Sequence, residues 1–371
     1  MIQNLVNNDW QRIVIKVGSA LIAPNRDGCS SQFLLSIANF IVHCKASGIQ
    51  VVLVSSGSVA AGSHLFKQGD TSAMTVKKAM AAAGQSEMMA TWDRLFDFNT
   101  AQVLLTHADL RNRNRFVSVR DTLDALLNND ILPIVNENDT VTTDKLKVGD
   151  NDNLSAMVAT AAHADALIIC SDINGLYTAN PHVDKNAKLI PEVAKISSEI
   201  YAMAGGATSD VGTGGMKTKI QAAEKAVSHG INTYIVNGFS EATFNALLQG
   251  KNPGTLFHSH KTPMQDQKHW MKHTTRPQGE LVVKDDFAVD FENSEVMVTP
   301  QDLLEVNGDF SAGEVVLLRK ERGDKLARVE TNYSSCLLNF VTTHDNQHIS
   351  EQLDNEAEPI ISKQYITLMG S

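Results

Sequence analysis

No run among the 371 residues approaches the ~18 consecutive apolar side chains that a membrane-crossing helix needs. The opening MIQNLVNNDWQR has neither a basic n-region nor an apolar h-region, so no secretory leader is expected. Cysteine is scarce: Cys29, Cys44, Cys170 and Cys336 are too few and too scattered for a disulfide framework or a zinc knuckle. Four reduced thiols in a cytoplasmic protein are expected. There is no GxxxxGK[ST] and no GxGxxG, so neither common glycine signature of nucleotide binding is present. His107-Ala108-Asp109-Leu110 with Asn114 has the spacing of a protein-kinase catalytic loop. A protein kinase also needs a glycine-rich loop before its strand lysine and a DFG after the catalytic loop, and the chain has neither. His258, His260, His269 and His273 cluster without a carboxylate or cysteine to complete a ligand set, so no metal site is expected there. Arg111–Arg120 carries four arginines among asparagines and reads as a solvated helix start.

Charge is unevenly placed. The chain carries net −10, and the residues from Arg276 onward hold 8 Lys/Arg against 18 Asp/Glu, which is the whole excess. An acidic C-terminal third repels phosphate backbones, which argues against a nucleic-acid partner. With 43% hydrophobic and 20% charged residues, the composition is that of an ordinary globular protein. The length suggests two domains.

Apolar runs at 12–19, 50–56, 101–106, 131–136, 165–171 and 231–236 read as buried strands. Between them lie helical patterns at about 30–47, 75–98, 114–129, 152–163 and 216–229. Alternation of this kind predicts an α/β fold with a parallel sheet covered on both faces, whose ligands bind at the carboxyl ends of the strands. Those ends carry Lys16-Val17-Gly18-Ser19, Ser55-Ser56-Gly57, Asn136-Glu137-Asn138-Asp139 and Ser171-Asp172. Residues 250–278 are polar and aperiodic and read as a domain end plus linker. From Gly279, ELVV, EVMV, EVVLLRK, KLARVET and CLLNFV read as short strands of a small β-barrel or sandwich.

Four pieces carry chemistry. Lys16 ends a buried strand against Gly18, and it can either snorkel at a strand edge or meet an anion. Gly212-Thr213-Gly214-Gly215-Met216-Lys217-Thr218-Lys219 opens a helix, where free N–H groups and the dipole favour phosphate. Gly149-Asp150-Asn151-Asp152-Asn153 and Asn136–Asp139 each suit a turn or a helix cap when taken alone. Taken together, two lysines can neutralise transferring phosphate oxygens, glycine-rich turns can hold a triphosphate, and Asn and Asp side chains can hold a small zwitterion.

The chain resembles the amino-acid kinase family. The matching segments are IVIKVGSAL (13–21), VVLVSSGSVAAG (51–62), AAAGQSEMM (81–89), LLTHADLRNRNRF (104–116), RDTLDALL (120–127), PIVNENDTV (133–141), KVGDNDNLSA (147–156), SDINGLYTANP (171–181) and GTGGMKTK (212–219). GDFSAGEVVLL (308–318) resembles the PUA domain appended to many bacterial members. The resemblance implies a three-layer kinase domain over 1–260, a linker over 261–278 and a PUA-like β-barrel domain over 279–371. It also implies ATP-dependent phosphorylation of the side-chain carboxylate of L-glutamate to L-glutamyl 5-phosphate, the first step of proline biosynthesis. Relatives on the same fold act on N-acetylglutamate, aspartate or carbamate.

By the same resemblance Lys16 and Lys219 contact ATP phosphates and Asp152 orients both. Ser56, Asp139 and Asn151 bind glutamate. Ser171, Asp172, Thr213, Gly214, Gly215, Met216, Lys217 and Thr218 line the nucleotide. Mg²⁺ accompanies ATP, proline is a feedback inhibitor, the chain forms a homo-oligomer, and glutamyl-phosphate reductase is a partner.

Overall fold

A computed structural model describes residues 9–66, 73–142, 151–181, 183–204, 215–260, 277–287, 298–343 and 359–368. The chain divides into two compact units, Met1–Pro263 and Met264–Ser371.

The first unit is built on an eight-stranded sheet. Its strands are β1 (Arg12–Val17), β2 (Gln50–Ser55), β3 (Thr100–Leu105), β4 (Leu132–Glu137), β5 (Ala166–Ser171), β6 (Glu192–Val193), β7 (Asn232–Asn237) and β8 (Thr255–Phe257). The order across the sheet is β3-β4-β2-β1-β5-β7-β8-β6. From β3 to β7 every pairing is parallel. At the far edge β8 runs antiparallel to β7, and β6 pairs parallel with β8.

The helices are α1 (Ser19–Ile22), α2 (Leu34–Ala46), α3 (Ser58–Gly62), α4 (Met74–Asp93), α5 (His107–Arg111), α6 (Arg113–Asn128), α7 (Asn151–Ala161), α8 (Ser198–Met203), α9 (Met216–Ser228) and α10 (Glu241–Leu248). Parallel strands buried on both faces read as continuous apolar runs, and RIVIKV shows how the faces separate. Ile13, Ile15 and Val17 enter one core with Ile37 and Phe40 of α2 and Phe244 of α10. Val14 enters the opposite core with Leu154 of α7 and Ile220 of α9. Period-two alternation therefore sends Lys16 to the α7/α9 side. Helix α7 is buried along its whole length: after its polar start Asn151-Asp152-Asn153 it carries only small and apolar residues.

Three sequence expectations need correction or addition. The stretch read as the domain end contains a short sheet strand, Thr255–Phe257, that the sequence reading did not mark. Three residues are too few to show alternation. CLLNFV is not a strand but part of a helix, α11 (Ser335–Thr343). Leu338 is 1% exposed, whereas Leu337 and Phe340 are 40% and 43% exposed, so its apolar residues do not share one face of a pleat. The helix expected from Ser30 begins at Leu34, after Ser31 accepts the first backbone bonds. EVMV lies almost wholly outside the described residues.

The second unit holds a five-stranded sheet: β9 (Gly279–Val283), β10 (Leu303–Gly308), β11 (Val315–Lys320), β12 (Lys325–Thr331) and β13 (Ile361–Leu368). Their order is β10-β9-β11-β12-β13. It has its own core, including Leu281, Phe310, Val316, Val329 and Leu338.

Candidate active site

Lys16 sits at the carboxyl end of β1, one residue from the strand's end. The neighbouring strands β2 and β5 connect on opposite sides of β1, which is the switch point where open α/β sheets bind ligands. Asp152 stands in the first turn of α7, where the helix dipole favours a carboxylate. Lys219 lies in the first turn of α9, the helix packed on α7. Lys16 Nζ meets Asp152 Oδ1 at 2.6 Å, and Lys219 Nζ meets Asp152 Oδ2 at 3.0 Å. Thr218 Oγ1 donates to the same Oδ2 at 2.8 Å and also to the Gly215 carbonyl.

All three charged groups are buried, with Lys16, Asp152 and Lys219 at 6%, 2% and 7% exposure. Burial alone would raise the Asp152 pKa, but Lys16, Lys219 and the Thr218 hydroxyl hold it well below the usual carboxylate range. The Lys16 pKa is lowered, chiefly by burial; Asp152 raises it and Lys219 lowers it further. Two ammoniums on one carboxylate leave an excess of positive charge, which favours an anion at this spot.

A second group lies at the ends of β2 and β4. Asn151 Nδ2 donates to Ser56 Oγ at 2.9 Å and to Asn136 Oδ1 at 3.0 Å. Ser58 Oγ donates to Asp139 Oδ2 at 3.2 Å. Asp139 Oδ1 and Asn151 Oδ1 are both buried oxygens with no hydrogen-bond partner. Burial pushes the Asp139 carboxyl up to about 6, against the opposing pull of Ser58. Orphaned buried acceptors of this kind are costly unless a ligand supplies donors. Beside them lies a cavity of about 230 Å³, whose lining includes Ser58, Gln85, Glu137 and Asp139. It is smaller than the ~300–1,000 Å³ usual for drug-sized ligands, and suits a small metabolite.

Glycine makes this arrangement possible at two places. Gly57, between β2 and α3, has φ +106, and a Cβ there would come within 2.8 Å of Ile22 Cβ. At Gly62 and Gly84, helices α3 and α4 cross so closely that a side chain on either would strike backbone of the other.

The structure thus gathers Lys16, Asp152 and Lys219 at one point, and Ser56, Asp139 and Asn151 in another hydrogen-bonded group. Asn151 and Asp152 are adjacent, so the two groups meet at the start of α7. Ser171 and Asp172 lie at the carboxyl end of β5, joined by a 3.1 Å hydrogen bond. Gly215, Met216, Lys217 and Thr218 begin α9, and Thr213 and Gly214 lie outside the described residues. The sequence reading did not single out Ser58 or Gln85 as site residues, and it marked Asn136 only as part of the Asn136–Asp139 segment. Ser58 lies in the quoted VVLVSSGSVAAG segment and Gln85 in AAAGQSEMM.

The decoys resolve into structure. Asp109 belongs to a capping box with Thr106 and also pairs with Arg115 at 3.0 Å. His258 meets Glu192 at 3.0 Å, while His269 and His273 lie outside the described residues.

A buried lysine pair on a carboxylate, at the switch point of a parallel sheet, favours an anion, an arrangement consistent with the amino acid kinase family. That family's profile matches residues 11–237, and the chain belongs to the family. Within it the chain groups with the glutamate 5-kinases. It is 56% identical to "Glutamate 5-kinase 1" of Pseudoalteromonas translucida (strain TAC 125) over 97% of this chain and 98% of that one. It is 50% identical to the glutamate 5-kinase of Idiomarina loihiensis over 92% of this chain and 93% of that one. It is 45% identical to that of Salinibacter ruber over 93% of this chain and 94% of that one.

Proposed function

We propose that the chain transfers the γ-phosphoryl group of ATP to the side-chain carboxylate of L-glutamate. The product is L-glutamyl 5-phosphate, at the first step of proline biosynthesis. The observation that carries this reading is the pairing of Lys16 and Lys219 on Asp152, joined through Asn151 to buried acceptors that lack a partner.

The acceptor carboxylate is ionised at neutral pH, so no general base is required. The barrier is electrostatic, since an anion must approach a polyanion. Catalysis is then positioning plus charge neutralisation. Lys16 and Lys219 hold phosphoryl oxygens, and Asp152, fixed by Thr218, holds the two ammoniums in place. The amides at the start of α9 and its dipole favour the remaining phosphate oxygens. The unpartnered Asp139 and Asn151 oxygens accept from the substrate's α-ammonium. An N-acylated substrate would leave Asp139 unpaired at a cost, which favours glutamate over N-acetylglutamate.

Mg²⁺ neutralises phosphate charge when bound. Among the described residues no group of three or more His, Cys, Asp or Glu is placed to hold a metal ion. The acyl phosphate is reactive, so this reading carries a consuming glutamyl-phosphate reductase with it. Proline inhibition and a homo-oligomer follow from the family likeness.

The test is a hydroxamate assay, because acyl phosphates react with hydroxylamine. ATP- and glutamate-dependent hydroxamate is expected. Preference for N-acetylglutamate, aspartate or carbamate in a substrate panel would overturn the assignment.

A further inference from the structure

A chain of side-chain amides leads to the unpartnered oxygens, and its direction is fixed at one point. The backbone N–H of Glu137 can only donate, and it donates to Asn136 Oδ1 at 2.8 Å. Asn136 Nδ2 therefore faces the other way, donating to Gln85 Oε1 at 2.9 Å and to Ser58 Oγ at 3.4 Å. Gln85 Nε2 in turn donates to Gln102 Oε1 at 3.1 Å.

Two branches leave Asn136. In one, Asn136 Oδ1 accepts from Asn151 Nδ2, whose amide also serves Ser56. With its N–H groups committed, Asn151 is left with Oδ1 free. In the other, Ser58 accepts from Asn136 and donates to Asp139 Oδ2, leaving Asp139 Oδ1 free. Both branches end in a buried acceptor. A reversed Asn136 would turn Asn151 round to show a donor and would take the Ser58 hydroxyl away from Asp139.

We propose that Gln85 is a positioning residue for substrate amine recognition. By accepting from Asn136 Nδ2, it holds Asn136 in the orientation that the Glu137 N–H selects, so that the network ends in acceptors. A ligand that satisfies both acceptors must then bring at least two N–H donors, as a primary ammonium does and an acylated amine does not. Gln85 acts through Asn136 and has no part in phosphoryl transfer. The proposal rests on the reading of this site as one for a free amino acid.

Gln85→Met removes the acceptor at similar volume, and Gln85→Glu keeps it. Gln85→Met is expected to raise the KM for glutamate about tenfold, the effect of one lost buried hydrogen bond. The KM for ATP and kcat should stay near wild type, and the preference for glutamate over N-acetylglutamate should narrow by a similar factor. Gln85→Glu should return the glutamate KM close to wild type.

Gln102→Leu, at the exposed outer end of the network, is the second variant and should shift the glutamate KM in the same direction by less. Wild-type KM in both Gln85→Met and Gln102→Leu, or a Gln85→Glu enzyme as impaired as Gln85→Met, overturns the proposal. If Gln85→Met does not fold, the Gln102→Leu and Gln85→Glu pair decides by the same criteria. A wild-type enzyme that makes no glutamate-dependent hydroxamate sinks the functional reading. An active wild type with unaltered variants sinks the positioning role alone.

Discussion

At Asp152 burial and charge pull in opposite directions, and charge prevails. On the proposed reading, removing one ammonium from this site takes away a preorganised donor to the transferring phosphoryl group. Lys219→Ala should lower kcat by a few hundredfold, roughly 3–4 kcal/mol of transition-state stabilisation. Circular dichroism should show the fold intact, because Lys16 still pairs Asp152; turnover near wild type would remove Lys219 from the mechanism.

Asp139 is shifted the other way. Its folded-state pKa of about 6 lies above the usual aspartate value of about 3.9. Folding therefore retains a proton between those values, and this group's contribution to stability declines as pH rises from about 4 to about 6. Binding of an ammonium has the opposite sign, since only the carboxylate attracts it. Glutamate affinity should fall about tenfold per pH unit below about 6 and level off above it. Calorimetry without nucleotide is the right measurement, because phosphate also titrates near 6. Asp139→Asn should bind weakly and lose the break in the profile.

The charged members of the site were legible in the sequence because each sits at a strand or helix end with an unusual run around it. Ser58 and Gln85 were not, and Asn136 was marked only within its segment, because a single amide or hydroxyl carries no spacing signal. Their roles arise from the direction of hydrogen bonds that only the assembled fold displays.

Among the elements, α3 and α4 both supply side chains to the hydrogen-bonded network around Asn136. Helix α3 carries Ser58, and α4 carries Gln85 as well as Trp92, whose Nε1 donates to Ser55 at 2.9 Å. The crossing at Gly62 and Gly84 therefore sets the distance between parts of the substrate group. A Cβ on Gly84 would collide with the Ser58 carbonyl and the Gly62 nitrogen. Backbone cannot yield as a side-chain tip can, so Gly84→Ala should cost about 1–3 kcal/mol of stability, the usual scale of overpacking. A lower Tm together with a raised glutamate KM is expected. A lower Tm with unchanged KM would mean that the helices separate without moving Ser58 or Gln85.

The long elements follow from sequence because their apolar runs are long enough to show a period. All six strands from β3 to β7 were read within a residue or two. The failures share one cause. β6 and β8 are two and three residues long, and CLLNFV is a short apolar run for which helix and strand patterns do not separate.

At the scale of the whole molecule, the two units have separate hydrophobic cores. Those of the first are drawn from residues up to Phe257, and that of the second from Leu281 onward. Every side chain assigned to catalysis or substrate binding belongs to the first unit. The charge divides similarly, with the whole net −10 contributed from Arg276 onward. An acidic unit gives no help to a site that must attract ATP and an anionic amino acid, and its field at a distance is screened within about 8 Å at physiological salt. A chain ending at Pro263 should therefore fold on its own core and make glutamate-dependent hydroxamate with kcat within about threefold of the full chain, a difference of under 1 kcal/mol in the barrier. If the truncated chain melts cooperatively yet has lost activity by a hundredfold or more, the second unit contributes to the reaction, and the assignment of the whole site to the first unit is wrong.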